Sequence, residues 1–274
     1  MISMEGFSFW ELKHEGKLDL FGLLESLAYR YRVRGMGLWN AFFPGQAQRQ
    51  EVPEEYIQKI RNTANALGLE IPNLHCDNCS VCSNDPEEQE ANRKYAMHML
   101  RVGVKLGVKG VRIDWGVRAE TLTPRQEERL VNTYREFCAF GEEHGIKVGP
   151  ENHFGASMHP DLLLRVGREI SSPAYGVLLH LGRWAADVSP AQMLEAERAI
   201  APLAMHCHVD LRVDSSISDL SLEDRLRNIR EAGYAGWYGV EHAPIGHTHA
   251  VNEALLHRLQ LALQRLESKG AEEE

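Results

Sequence analysis

The chain has 274 residues, of which 43% are hydrophobic and 25% charged. That is the ordinary balance of a globular protein, and it excludes disordered, collagenous and coiled-coil readings. A formal net charge of -9 argues against a phosphate backbone as partner, so no nucleic acid is expected. No apolar run approaches the roughly 18 residues of a membrane span, and no basic stretch followed by an apolar one opens the chain. No membrane association and a cytoplasmic location are therefore expected.

Short apolar or β-branched runs alternate along the chain with longer segments of helical spacing. Residues 6–12 read as the first strand, after which Leu20, Leu23, Leu24 and Leu27 share a helical face. Residues 34–39 are the second strand, followed by a helix opening at Pro53-Glu54-Glu55, with proline and acids in its first turn. Residues 69–75 are the third, and the next helix starts near Asp85-Pro86 and runs to about Leu106. Residues 110–115 are the fourth, with a helix from Thr123-Pro124 to about His144. Strands five to eight fall at 147–152, 174–180, 204–209 and 237–241. Their helices begin near His159-Pro160, Ser189-Pro190, Ser221-Leu222 and 249–252.

Eight strand–helix pairs of about 34 residues each match a single (β/α)8 TIM barrel, an α/β fold in which every parallel strand needs a crossover helix. The barrel is expected over residues 1–268, with 269–274 a frayed acidic tail. No G-x-G-x-x-G or P-loop pattern follows any strand, so dinucleotide and P-loop readings lack their phosphate cradle. Three of the five cysteines form Cys76-x-x-Cys79-x-x-Cys82, a spacing that resembles part of a zinc or iron–sulfur site. Only His75 is near enough in sequence to complete it, and a polar loop that happens to carry thiols is the simpler reading.

Active sites of such barrels form at the C-terminal ends of the strands. In chain order those ends carry Glu11, then Trp39 and Asn40, His75, Asp114, then Glu151, Asn152 and His153. The sixth adds His180 and Arg183, the seventh His206, His208, Asp210 and Arg212, and the eighth Glu241 and His242. Each has an ordinary reading by itself: a strand-end histidine as a hydrogen-bonded cap, or a glutamate paired with Arg112 or Arg212. Gathered at one mouth, like-charged carboxylates are costly without a cation, and a divalent metal is the economical explanation.

Three stretches carry a family resemblance: Pro150-Glu151-Asn152-His153, His206-Cys207-His208-Val209-Asp210, and the run from Gly233 to Glu241 (GYAGWYGVE). They resemble motifs of the xylose isomerase-like TIM-barrel superfamily of sugar-phosphate isomerases and epimerases, which also includes inosose dehydratase and, more distantly, endonuclease IV. The resemblance implies one divalent metal held by Glu151, His208 and Glu241. At the sixth strand the family has an aspartate ligand, where this chain has His180. Two carboxylates with two imidazoles favour Mn, Co, Fe or Zn over Mg.

The same resemblance implies that Glu151 and Glu241 are also the acid–base pair. They would act on a sugar, keto-sugar or sugar acid by abstracting a proton next to a carbonyl, through an enediolate. His206, Arg212, Arg183, His75, His153 and Trp115 would then contact substrate, and Arg183 has Asp187 as a rival partner. Strand alternation puts His206 one layer beneath His208, with Cys207 facing the helices. A dehydratase of a keto-sugar or cyclitol and a non-catalytic metal- or sugar-binding barrel remain open. A phosphodiesterase is disfavoured by the net charge. The expected partner is a small carbohydrate, and the resemblance also suggests a homo-oligomer.

Overall fold

Helix starts follow local capping chemistry. The side chains of Asp85, Thr123, Ser189 and Ser221 accept the backbone N–H groups of Glu87, Gln126, Gln192 and Asp224, satisfying donors that a helix leaves orphaned. Prolines 86, 124 and 190 occupy the first turn, where their missing N–H costs nothing. A computed structural model describes residues 1–211 and 221–270. Arg212, expected at the substrate, lies outside the described residues.

The strands are β1 (Ile2–Glu5), β2 (Gly35–Trp39), β3 (Glu70–Cys76), β4 (Gly110–Ile113), β5 (Lys147–Gly149), β6 (Val177–His180), β7 (Ala204–Val209) and β8 (Tyr238–Val240). The described α-helices are α1 (Trp10–His14), α2 (Leu20–Glu25), α3 (Glu54–Ala66), α4 (Pro86–Leu106), α5 (Pro124–His144), α6 (Pro160–Ile170), α7 (Pro190–Ile200), α8 (Leu222–Glu231) and α9 (Thr248–Gly270). The strands form one parallel sheet in the order β5-β4-β3-β2-β1-β8-β7-β6. Its two edges meet through the bridges Val148–Tyr175 and Glu151–Leu178, which close the (β/α)8 TIM barrel. Helix α9 reaches Gly270, and residues 271–274 of the expected tail lie outside the described residues. Among the described residues, no helix is long and apolar enough to cross a membrane.

The first strand needs correction. It spans Ile2–Glu5, and the apolar run placed there by composition forms a 3-10 turn (Gly6–Phe9) and α1. A carboxylate within a four-residue strand hides its apolar pattern, so the next apolar run looks more strand-like. Glu11 is consequently no strand-end residue. Its carboxylate accepts Gly246 N–H and Thr248 Oγ, both at 2.7 Å, which ties α1 to the start of α9.

Outward-facing strand residues and inward-facing helix residues make the apolar layer. Leu23, Leu24, Leu27, Leu100, Phe137 and Cys207 are all fully buried in it. Each leucine so buried contributes about 1.5–3 kcal/mol. Inside the barrel, where branched aliphatic side chains usually stack, this chain instead buries Ser3, Glu5, Asn73, His75, His206 and His208.

Candidate active site

Register brings the imidazoles together. His180 pairs with His208, and His208 with Gly239, so Glu241 projects two residues further along the same face of the neighbouring strand. Glu151 follows β5 and bridges to Leu178, which places it beside His180. His180 Nδ1 lies 2.9 Å from Glu151 Oε1 and 3.9 Å from Glu241 Oε1. His208 Nδ1 lies 3.2 Å from Glu241 Oε2 and 3.5 Å from Glu151 Oε1. All four side chains are buried, and their candidate ligand atoms lie within 4.8 Å of one another.

Two structural staples hold this geometry. Asn152 accepts His180 N–H at 2.7 Å and donates to the carbonyls of His180 and Arg183 at 2.8 Å, locking the end of β5 to the turn after β6. In that turn Gly182 adopts φ +74°, a left-handed conformation that favours glycine, and its N–H donates to buried Glu197 at 2.9 Å. Glu197 is itself paired with buried Arg225.

The charges are strongly polarised. Burial alone would raise the Glu151 carboxyl, but His153, His180 and His208 together hold it well below the usual range. Glu241 is likewise held down at about 2: burial and Glu151 oppose ionisation, and His208 outweighs them. Burial pulls the His208 imidazole downward, yet Glu241, Glu151 and Glu5 raise it well above its ordinary value.

Sequence reasoning missed Glu5 and gave Arg112 only the part of a salt-bridge partner. Glu5 sits fully buried inside the barrel, with Oε1 3.0 Å from His206 Nε2 and Oε2 3.4 Å from His75 Nε2 and 3.6 Å from His208 Nε2. Burial opposes its charge, but His206, His208 and His75 keep it well below the usual carboxylate range. His206 does face the same side as His208 one layer beneath it, as alternation requires. Both His75 and His206 are enclosed with Glu5 and not turned to solvent. Burial pushes His75 down to about 3. A correct first strand would have flagged Glu5, since a strand-end carboxylate at Glu5 has the same signal as one at Glu241.

Arg112, on β4, donates to Asp114 at 2.8 Å and Asp77 at 3.1 Å, and its Nε lies 3.5 Å from Glu151. Its signal was its place near the end of β4, masked by its reading as an ordinary salt-bridge partner of a glutamate. Burial opposes the Asp114 charge, and Arg112 and His153 overcome it. His153 Nδ1 lies 2.9 Å from Asp114 Oδ2 and 3.9 Å from Glu151 Oε2. Burial would lower this imidazole, but Glu151 and Asp114 raise it.

Between its two candidate partners, Arg183 faces the site. Its Nη1 is 3.5 Å from His180 Nδ1 and 3.9 Å from Glu151, whereas Asp187 is exposed and approaches His159. Trp115 is 1% exposed and so belongs to the wall, not the opening. Trp39 is buried and donates to Asp77 at 2.7 Å. The three thiols do not gather: Cys79 donates to the Cys76 carbonyl, Cys82 to Gln126, and His75 turns to Glu5. A hydrogen bond to Cys76, then burial, keeps the Cys79 thiol protonated.

The donor set fits a divalent ion. Among the described residues, neither ring nitrogen of His208 makes an aligned hydrogen bond although carboxylate oxygens face both, and buried polar groups left so are costly. Two carboxylates and two imidazoles converging from adjacent strands are ligands that zinc and its neighbours accept.

Fold and site together define a (β/α)8 barrel whose acidic and imidazole side chains converge at the strand ends. The chain belongs to the xylose isomerase-like TIM barrel family, whose model matches residues 33–261. An uncharacterized protein of Methanocaldococcus jannaschii is 24% identical over 154 residues, a match that spans about half of either chain: 52% of this one and 53% of the relative.

Solved structures share the fold at lower identity. The probable 3-DHS dehydratase AsbF of Bacillus anthracis superposes with a TM-score of 0.72 at 13% identity, covering 94% of this chain and 98% of the other. The 3-keto-D-glucoside 4-epimerase YcjR of E. coli gives 0.72 at 14%, covering 96% and 98%. The IolI protein, solved with a zinc atom bound, gives 0.72 at 13%, covering 98% of each chain.

Proposed function

We propose that this chain is a divalent-metal-dependent isomerase or epimerase of a sugar, keto-sugar or sugar acid, moving a proton next to a carbonyl. The observation that carries the reading is Glu151 and Glu241 flanking His180 and His208 at the barrel mouth. These four side chains would hold the ion, with Zn, Mn, Co or Fe favoured over Mg by the two imidazoles. When bound, the ion supplies Lewis-acid stabilisation of charge growing on a carbonyl oxygen.

The protein's own groups do the rest. Glu151 and Glu241 are held ionised at neutral pH, so either can accept a proton from carbon and the other can return one. Arg183, at the Glu151 edge, offers a planar cation to a carboxylate or to hydroxyl oxygens. His206 and His75, closed in with Glu5, support His208 from beneath instead of meeting substrate. Arg212 keeps its proposed role from its place after β7.

A second reading has one observation in its favour. Burial opposes the charge of the His153 imidazole, but Glu151 and Asp114 shift it toward its protonated form, and it is partly open at the mouth. A proton donor there suits expulsion of a β-hydroxyl as water, the dehydratase reaction. The test is to load the full chain with zinc or manganese and incubate it with a panel of keto-sugars in deuterated water. Exchange at a single carbon without loss of water supports isomerisation or epimerisation, and appearance of an unsaturated carbonyl product supports the dehydratase. A panel with neither signal, under conditions where the metal is bound, would overturn both.

A further inference from the structure

We propose that Glu5, His75 and His206, with Nε2 of His208, form a second, interior binding site for a divalent ion of the zinc type, separate from the mouth site. This goes beyond the proposed activity, because the interior cluster has no opening through which substrate could reach it.

The four groups come from β1, β3 and β7 and are fully buried. The carboxylate–imidazole separations are 3.0, 3.4 and 3.6 Å. Ligand atoms arranged tetrahedrally around zinc at its usual N and O distances stand about 3.4 Å apart, so these spacings match the edges of a coordination shell. The mouth cluster shows the same range, from 2.9 to 3.9 Å.

Hydrogen bonding accounts for only part of the cluster: Ser3 Oγ donates to Glu5 Oε1 at 2.7 Å, and His206 Nε2 lies 3.0 Å from the same oxygen. Among the described residues, Glu5 Oε2, both nitrogens of His75 and Nδ1 of His206 have no aligned hydrogen bond, although all are enclosed. Leaving buried polar atoms unsatisfied costs about 1–3 kcal/mol each, and an ion would satisfy Glu5 Oε2 and the Nε2 atoms of His75 and His208 at once.

Neighbouring strands are shaped to leave the space. Barrel interiors are filled in layers whose side chains come from alternate strands. Here the even strands contribute glycine where the odd ones contribute bulk. A Cβ on Gly37 would stand 1.3 Å from Glu5 Oε2. One on Gly239 would stand 2.0 Å from Glu5 Oε1 and 2.8 Å from His206 Nε2.

Three imidazoles with one carboxylate suit zinc, cobalt or iron and not magnesium or calcium. Four protein ligands leave no coordination position for a reacting molecule, which is the character of a structural ion bound as the chain folds. His208 presents Nδ1 to the mouth and Nε2 to the interior. With both ions present it bridges them as an imidazolate, its ring protons passing to solvent.

The test uses the full chain, refolded with zinc, freed of loose metal and analysed for zinc content. About two zinc ions per chain are expected for the wild type, falling to about one in Glu5→Gln and to about one in the double variant Glu151→Gln/Glu241→Gln. If the mouth reading fails and this one holds, the wild type carries one ion, which Glu5→Gln loses and the double variant keeps. Equal zinc content in wild type and Glu5→Gln overturns the proposal. Should Glu5→Gln not fold, anomalous scattering from zinc-loaded wild-type crystals decides: a peak among Glu5, His75 and His206 supports the site, and no peak there overturns it.

Discussion

The two halves of the barrel meet at His208 and bring different things to it. From β5–β8 come the candidate donors at the mouth, Glu151, His180, His208 and Glu241. From β1–β4 come the groups that set their charge: Glu5 beneath His208, and Arg112 with Asp77 and Asp114 beside Glu151. The contrast teaches that a cluster of donors does not define a site alone. Two adjacent buried carboxylates would repel, and it is imidazoles that keep both ionised, His153 and His208 at Glu151 and His208 at Glu241, while the β4 guanidinium packs its Nε 3.5 Å from Glu151.

The division predicts unlike effects in the two halves. Glu241→Gln removes the carboxylate proposed as donor and base while leaving the apolar layer untouched. Turnover on whichever substrate shows exchange should fall by about 10²–10⁴-fold, with an unchanged circular dichroism spectrum. Equal turnover would remove Glu241 from the chemistry. Arg112→Met, in the other half, leaves Asp77, Asp114 and Glu151 without their buried cation. Metal-free stability should drop by about 3–5 kcal/mol in denaturant unfolding, the usual cost of removing one partner from a buried ion pair. A loss under about 1 kcal/mol would show that these carboxylates do not depend on β4.

Two smaller effects sharpen the contrast. His180→Asp crowds a carboxylate against Glu151, Glu241 and Asp210, so the variant should need metal to stay folded, and its preference should move from zinc toward magnesium or manganese. Identical metal profiles in variant and wild type would place His180 outside the coordination shell. The smallest expected signal is a proton. His208 is held above its ordinary value, so it is protonated at neutral pH in the metal-free chain and must lose a proton to bind an ion. Zinc binding at the mouth at pH 7 should release about one proton, seen calorimetrically in buffers of different ionisation enthalpy. Affinity should rise with pH until the ring has lost its charge. Absence of release would mean that His208 is not a ligand.

The motifs of β5–β8 were readable because each is contiguous. Glu151-Asn152-His153, His206–Asp210 and the approach to Glu241 keep donor, turn and strand within a few residues, so periodicity places them correctly. The same locality made α4 and α5 legible from Asp85-Pro86 and Thr123-Pro124. In the first half the signal failed at β1. There a buried carboxylate within a four-residue strand broke the apolar pattern, and Glu11 took the place that belongs to Glu5.

The chain's own order of residues determined the repeating strand–helix units, the helix caps and which carboxylates and imidazoles stand at the ends of β5–β8, because those are consequences of short-range spacing and backbone chemistry. Tertiary structure alone decided which charges meet. Glu5 is surrounded by β3 and β7 partners some 70 and 200 positions away, and the glycines that admit it lie on β2 and β8. Arg183 turned from its near neighbour Asp187 to Glu151, across the end of the barrel. An exposed ion pair next door is worth little in water, whereas a cation beside buried carboxylates offsets a large desolvation cost, so distance in sequence yields to burial in space.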